Sequence, residues 1–205
     1  MHENDQLLFE TYARQFLSPG AHILEIGPDD FPSTLQTLLN DPSASWETLD
    51  IAEDERLTYP GAPEYSWPLP DERYDVVLAA NVIEHVRKIW VWIGEVERVC
   101  RTGGHVVILN PASWPYHPSP VDCWRIYPEG MKALLEGTRL HPLLTTQGSL
   151  EVPDGKYKLP GRARSHQEPR LQRWYRWTGR FGYPVECAFD TLTVARKEAD
   201  PYTGP

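Results

Sequence analysis

The run Tyr74–Ala80, YDVVLAA, constrains this chain most, because it is apolar almost without alternation. A strand with one face in water alternates polar and apolar residues. A continuous run instead predicts a strand buried on both faces, as at the centre of a parallel sheet covered by helices. Its surroundings carry the pattern on. Leu7, Leu8, Tyr12, Phe16 and Leu17 fall at helical spacing and predict an N-terminal amphipathic helix ending near Pro19-Gly20. Ala21–Ile26 reads as a buried strand, Phe31–Asn40 as a helix stopped by Asp41-Pro42, and Trp46–Asp50 as a second strand. From Glu84 onward, Val86, Ile89, Ile93, Val96 and Cys100 form the core stripe of a helix. Thr102-Gly103-Gly104 is expected to end it, and His105–Leu109 to be the next strand. Strands alternating with helical patterns imply βαβ units.

The rest of the chain is less regular. Residues 52–70 are proline-rich and read as loop, with Glu64-Tyr65-Ser66 a candidate short strand. Residues 112–127 are a second loop, rich in Pro, Trp and Tyr. Pro128 and Glu129 then suit the first turn of a helix whose apolar face is Met131, Leu134 and Leu135, stopped at Gly137. Leu140–Thr146 and Cys187–Ala195 read as two further strands. Between them, residues 151–180 hold eight Lys or Arg against three Asp or Glu, although the whole chain carries a net charge of −9. The reading is a single domain over 1–205, with a basic, aromatic insertion at about 149–182 lying as a flap at the sheet edge.

Strand ends are where an open parallel sheet binds its ligands. The first strand breaks at Gly27, which allows the backbone close to a ligand, and the second ends at Asp50, an acid able to grip the two hydroxyls of a ribose. The pair points to an adenosine-containing cofactor. A net negative charge argues against a nucleic-acid binder acting through its overall field. Cys100, Cys123 and Cys187 are odd in number and widely spaced, which suits a reduced cytoplasmic interior and gives no metal-site spacing, so no metal is expected. The first residues lack the blocks of a signal peptide, and the longest apolar run, Val76–Ala80, is too short to span a bilayer.

Four stretches, in order over about residues 21–111, resemble the class I S-adenosylmethionine-dependent methyltransferases, in particular the compact domain of small-molecule and sugar-modifying enzymes. They are HILEIG at 22–27, ETLD at 47–50, WPLPDERYDVV at 67–77 with NVIEH at 81–85, and ERVCRTGGHVV at 97–107. Asp190–Arg196 is similar to the family's final antiparallel strand. The resemblance implies a Rossmann-like, doubly wound, mostly parallel α/β sheet with an antiparallel last strand. It also implies S-adenosylmethionine as cofactor and S-adenosylhomocysteine as product. By position, it places Glu25 and Gly27 beside the aminocarboxypropyl arm, Asp50 on the ribose hydroxyls and Ile51 on the adenine face. It places Glu64 towards the adenine edge, where the usual acid is displaced, and Ala80 and Asn81 at the methionine portion. The first motif departs from the family. Where two or three glycines are usual, this chain has Gly27-Pro28-Asp29-Asp30, and Pro28 removes a donor N–H. Two acids would repel a pyrophosphate but tolerate a cationic sulfonium, which counts against a nicotinamide oxidoreductase.

The acceptor should approach from the loops after the fourth and fifth strands. Methyl transfer demands proximity and a deprotonated acceptor, and an imidazole with a pKa of about 6.5 can take that proton. His117 is the candidate base. His85 lies in or beside the substrate pocket in one reading, while Glu84 suits a helix start. Asp122 and Arg125, three apart before a helix, suit a local ion pair that shapes the loop; the sharper role for Arg125 is to hold an anionic acceptor. Trp114 and Tyr116, with Trp124, can stack on a ring or pack on the sheet. In the insertion, Tyr157, Trp174, Tyr175 and Trp177 interleave with basic residues, a pattern that can also bind single-stranded RNA. The leading reading is methyl transfer to an oxygen or nitrogen of a small anionic or glycosylated molecule. A non-catalytic, regulatory cofactor-binding module of the same fold is the alternative, and an RNA or protein acceptor ranks below both. No membrane and no nucleic-acid partner is expected, and the exposed aromatics serve equally as a homodimer contact.

Overall fold

The computed structural model describes residues 1–118, 120–150 and 189–200. Strands β1 (His22–Ile26), β2 (Ser45–Leu49), β3 (Tyr74–Ala80), β4 (Cys100–Ser113), β5 (Leu140–Gly148) and β6 (Phe189–Lys197) form one six-stranded sheet. Their order is β2-β1-β3-β4-β6-β5. β1 runs parallel to both β2 and β3, and β3 parallel to β4, whereas β6 is antiparallel to β4 and β5. This is the mostly parallel, Rossmann-like sheet with an antiparallel last strand. The chain leaves β1 to one side for β2 and returns to its other side for β3, so the strand order reverses at β1.

Both faces of β1 and β3 are covered, which explains their apolar runs. On one face α1 (Glu3–Leu8) and α2 (Thr34–Leu39) bring Leu8 and Leu35 against Ile23, Val76 and Leu78, joined by Phe9 and Ala13. On the other, α3 (Ile89–Val99) and α4 (Pro128–Leu135) pack Trp92, Ile93, Val96, Met131 and Leu135 on Leu24, Val77 and Ala79. Full burial of each such large side chain contributes roughly 1.5–3 kcal/mol.

Several local expectations are corrected. The N-terminal helix is α-helical only to Leu8, widens into a π turn over Phe9–Ala13 and tightens into a 3-10 turn over Arg14–Phe16. It also buries polar residues that an apolar stripe cannot reveal. Asn4 donates to Asp190 and to the Gly148 carbonyl, and Asn81 donates to Asp5. α2 starts at Thr34 rather than Phe31, because Ser33 caps it by accepting from the Gln36 N–H.

The helix expected from Glu84 starts instead at Ile89, after a 3-10 turn over Ile83–His85. Its would-be first turn is held by other partners. The carbonyls of Glu84 and Val86 accept from the Cys123 N–H and the Trp124 indole, and the N–H groups of Arg87 and Lys88 go to Glu64 and the Tyr65 hydroxyl. Glu84 is therefore a buried acid and not a dipole-facing helix start. Glu64-Tyr65-Ser66 forms no strand; these residues support the α3 entry.

Thr102-Gly103-Gly104 is not a separate terminator but part of β4, which begins at Cys100 opposite Tyr74 and shifts register before Val76. Gly104 is required there: a Cβ on it would stand 2.8 Å from the Asp75 carbonyl. The basic, aromatic stretch and Cys187 lie outside the described residues. No helix among the described residues is long and apolar enough to cross a membrane.

Candidate functional site

A cleft of about 740 Å³ opens beyond the carboxyl ends of β1, β2 and β3, at the reversal of strand order. Gly27, Asp50, Ile51, Glu64, Ala80, Asn81 and His85 all line it. Gly27 donates its N–H to the Leu49 carbonyl at 2.9 Å and turns the chain at φ +65°. A Cβ there would stand 2.6 Å from Val82 Cγ2 and 3.7 Å from Asp50 Oδ2. The turn therefore presents bare backbone beside the Asp50 carboxylate. Oδ1 of Asp50 accepts from the Ala52 N–H at 2.8 Å, which fixes the group and leaves Oδ2 on the Gly27 side. Ile51 follows with 52% of its surface in solvent, an apolar shelf on the rim. Trp67, Val86 and Trp92 supply further apolar wall.

The acids of the first turn divide their tasks. Asp29 reaches the cleft, accepts from the N–H and hydroxyl of Thr34, and pairs with the terminal ammonium at 3.1 Å. Burial acts to raise its pKa, but these hydrogen bonds prevail and hold it below the ordinary value. Glu25 lies outside the cleft wall. Its carboxylate is 3% exposed and accepts from Ser33 Oγ at 2.6 Å and Trp46 Nε1 at 2.9 Å. Burial pushes its pKa up to about 7 against those two bonds. It sits on the α2 face of β1, so an acid read as a cofactor contact is placed beneath the turn.

The 114–127 loop is sewn to the 83–86 turn. The Cys123 N–H and Trp124 indole bonds do this together with His85 Nδ1, which meets the Val121 carbonyl. The result sets His117 edge-on to His85, ring centroids 5.0 Å apart. His85 is on the cleft wall and His117 stands behind it. Asp122, whose side chain is 2% exposed, accepts both Arg125 Nη1 and Nη2 and the His117 N–H. The Arg125 guanidinium beside it holds its pKa down at about 2. Arg125 also donates to the Trp114 and Pro115 carbonyls. It is thus committed to the loop, and the ion pair expected from the three-residue spacing is the role present. Trp114 stacks on His2 with centroids 4.7 Å apart, and Tyr116 is 76% exposed. Neither lines the cleft.

Two features escaped sequence reasoning: the buried Glu84 next to both imidazoles, and the Asp5–Asn81 bond that ties the N-terminal helix to the cleft. The adjacency of Glu84 and His85 was the only signal for the first, and it does not reveal His117.

Residues 41–108 match the family described as Methyltransferase domain. An uncharacterized methyltransferase of Mycobacteroides abscessus is 31% identical over 103 residues, covering 50% of this chain and 36% of that protein. The chain thus spans about a third of its curated relative. A SAM-dependent methyltransferase from Archaeoglobus fulgidus superposes with a TM-score of 0.59 at 15% identity, covering 94% and 93% of the two chains. The [4+2]-cyclase SpnF superposes with a TM-score of 0.62 at 14% identity, covering 96% and 81%. The family match covers residues 41–108, and the fold is that of solved S-adenosylmethionine-dependent methyltransferases. S-adenosylmethionine is the cofactor of this family, and the residues fit it: a turn a Cβ would block, a fixed carboxylate and an exposed apolar shelf in series. A fold shared with a cyclase leaves the reaction to be argued from the site.

Proposed function

We propose that this chain transfers a methyl group from S-adenosylmethionine to an oxygen or nitrogen of a small anionic or glycosylated molecule. One observation carries the reading: a single cleft at the reversal point holds the Gly27 turn, the Asp50 carboxylate and an imidazole of the His85–His117 pair. Asp50 accepts from the ribose hydroxyls, Ile51 packs on the adenine and Glu64 faces its edge. Gly27, Ala80 and Asn81 hold the methionine portion. The cofactor supplies an electrophilic methyl on a sulfonium, so the chain itself must position the acceptor and remove its proton.

His85 borders the acceptor, and His117 takes the proton through Nε2, since its Nδ1 faces the Pro115 carbonyl at 2.9 Å and Asp122 at 3.3 Å. Arg125 and Trp114 frame the loop, while exposed Tyr116 is available to the acceptor. Glu25 acts from beneath, by steadying α2 through Ser33. An anionic acceptor fits the basic charge of residues 151–180, and free Cys100 and Cys123 fit a cytoplasmic setting.

Calorimetric titration with S-adenosylhomocysteine tests the assignment. Asp50→Ala removes two charge-assisted hydrogen bonds, each worth roughly 1.5–3 kcal/mol, and should weaken binding by about 100-fold or more. Unchanged affinity would end the ribose assignment. Cofactor binding without turnover on any acceptor would favour the regulatory module.

A further inference from the structure

We propose that Glu84, His85 and His117 bind one first-row divalent cation of the zinc type at the acceptor end of the cleft. One ligand atom from each residue lies within 4.8 Å of the other two. Zinc bonds of about 2.0–2.2 Å put tetrahedral ligands about 3.4 Å apart, so closure needs only a short movement of side chains. Glu84 Oε1 is already 3.8 Å from His85 Nε2.

Two observations separate this cluster from a chance meeting of side chains. The Glu84 carboxylate is 1% exposed, yet neither oxygen is hydrogen-bonded to another residue. A buried carboxylate is costly unless paired or bound to a cation. The imidazoles, in turn, are both oriented from behind. His85 Nδ1 meets the Val121 carbonyl and His117 Nδ1 the Pro115 carbonyl, with Asp122 close by. Metal-ligating histidines donate their second ring N–H to such acceptors, which fixes the tautomer and leaves Nε2 for the ion. A second cluster, His2, Asp5 and Asp190, lacks this character, because Asn81 and Asn4 each donate to one oxygen of its two carboxylates.

Two imidazoles and one carboxylate suit zinc or a neighbouring transition ion rather than calcium or magnesium, which prefer oxygen ligands. Three protein ligands leave a position open, and His85 places it at the cleft. The function of that position rests on the methyltransferase reading. An acceptor hydroxyl bound there loses its proton to solvent near neutral pH. Its oxygen then forms the new O–C bond as the C–S bond breaks with its electron pair on sulfur. In the ion-bound protein His117 is a ligand, and the cation replaces it in acidifying the acceptor.

The test titrates Zn²⁺ calorimetrically into the EDTA-stripped full chain and records the visible spectrum with Co²⁺. One ion per chain is expected, with affinity at least about 10-fold weaker in His117→Ala and in Glu84→Gln, while S-adenosylhomocysteine affinity stays the same in both. If Glu84→Gln fails to fold, as judged by circular dichroism, His117→Ala on its partly exposed loop decides alone. Absence of 1:1 binding, or equal binding by all variants, overturns the site. Zn²⁺ binding without S-adenosylhomocysteine binding would keep the site and remove the methyltransferase reading. The converse would remove the site alone.

Discussion

Gly27→Ala should destabilise the protein and loosen the cofactor turn by two separable amounts. The first is conformational: φ is +65° at this position, and an L-residue in the left-handed region costs about 1–2 kcal/mol. The second is steric. The added Cβ would stand 2.6 Å from Val82 Cγ2, a distance real Cβ contacts do not show, and relieving such overpacking costs about 1–3 kcal/mol. Together the variant should lose about 2–5 kcal/mol, a Tm decrease near 10 °C for a domain of this size. Val82→Ala removes the atom that clashes but leaves the backbone as it is. In a double-mutant cycle followed by urea unfolding, Gly27→Ala should therefore cost only about 1–2 kcal/mol in the Val82→Ala background. Additivity within about 0.5 kcal/mol would show that the close approach is not real, and a Gly27→Ala protein as stable as wild type would refute both parts.

The Glu25 carboxyl titrates at about 7 in the folded protein against an ordinary 4.5. A raised acid pKa gives stability that is complete below 4.5 and lost as pH rises through 7. Glu25→Gln should thus be more stable than wild type at pH 8, by up to about 3 kcal/mol, with no gain at pH 4; thermal melts across that range measure it. Arg125→Ala leaves the Asp122 carboxylate buried and unpaired, and should cost about 3–5 kcal/mol in denaturant unfolding, whereas a loss below 1 would show the pair to be incidental. Lys197 is buried, donates to the Glu97 and Cys100 carbonyls at 2.7 and 2.8 Å and pairs with Glu72. Because Glu72 is 41% exposed, Lys197→Met leaves no buried charge but removes the donor to the two carbonyls, and should lose about 1–3 kcal/mol, read by the same assay.

The seven cleft residues named from sequence come together because each sits at or just beyond a strand end, or in a segment leading to the next helix. Position along a strand is a local property, and local periodicity reports it. Glu25 illustrates the limit. Its place in the motif is legible, but the alternation of β1 turns its side chain to the α2 face, under the turn rather than onto the cleft.

The sequence by itself determined the alternation of strands and helices, the burial of β1 and β3 on both faces, and the glycine and acid at the first two strand ends. Those follow from hydrophobic period and turn chemistry, which act over a few residues. Only the tertiary structure decided where α3 begins, that Glu84 is buried, and that His117 stands edge-on to His85. Each of these rests on hydrogen bonds between the 83–88 segment and residues far along the chain: Cys123 and Trp124 on the carbonyls, Glu64 and Tyr65 on the N–H groups. A backbone group can be claimed by a distant partner only after the sheet has brought the two loops to the same edge. No spacing within either loop records that meeting.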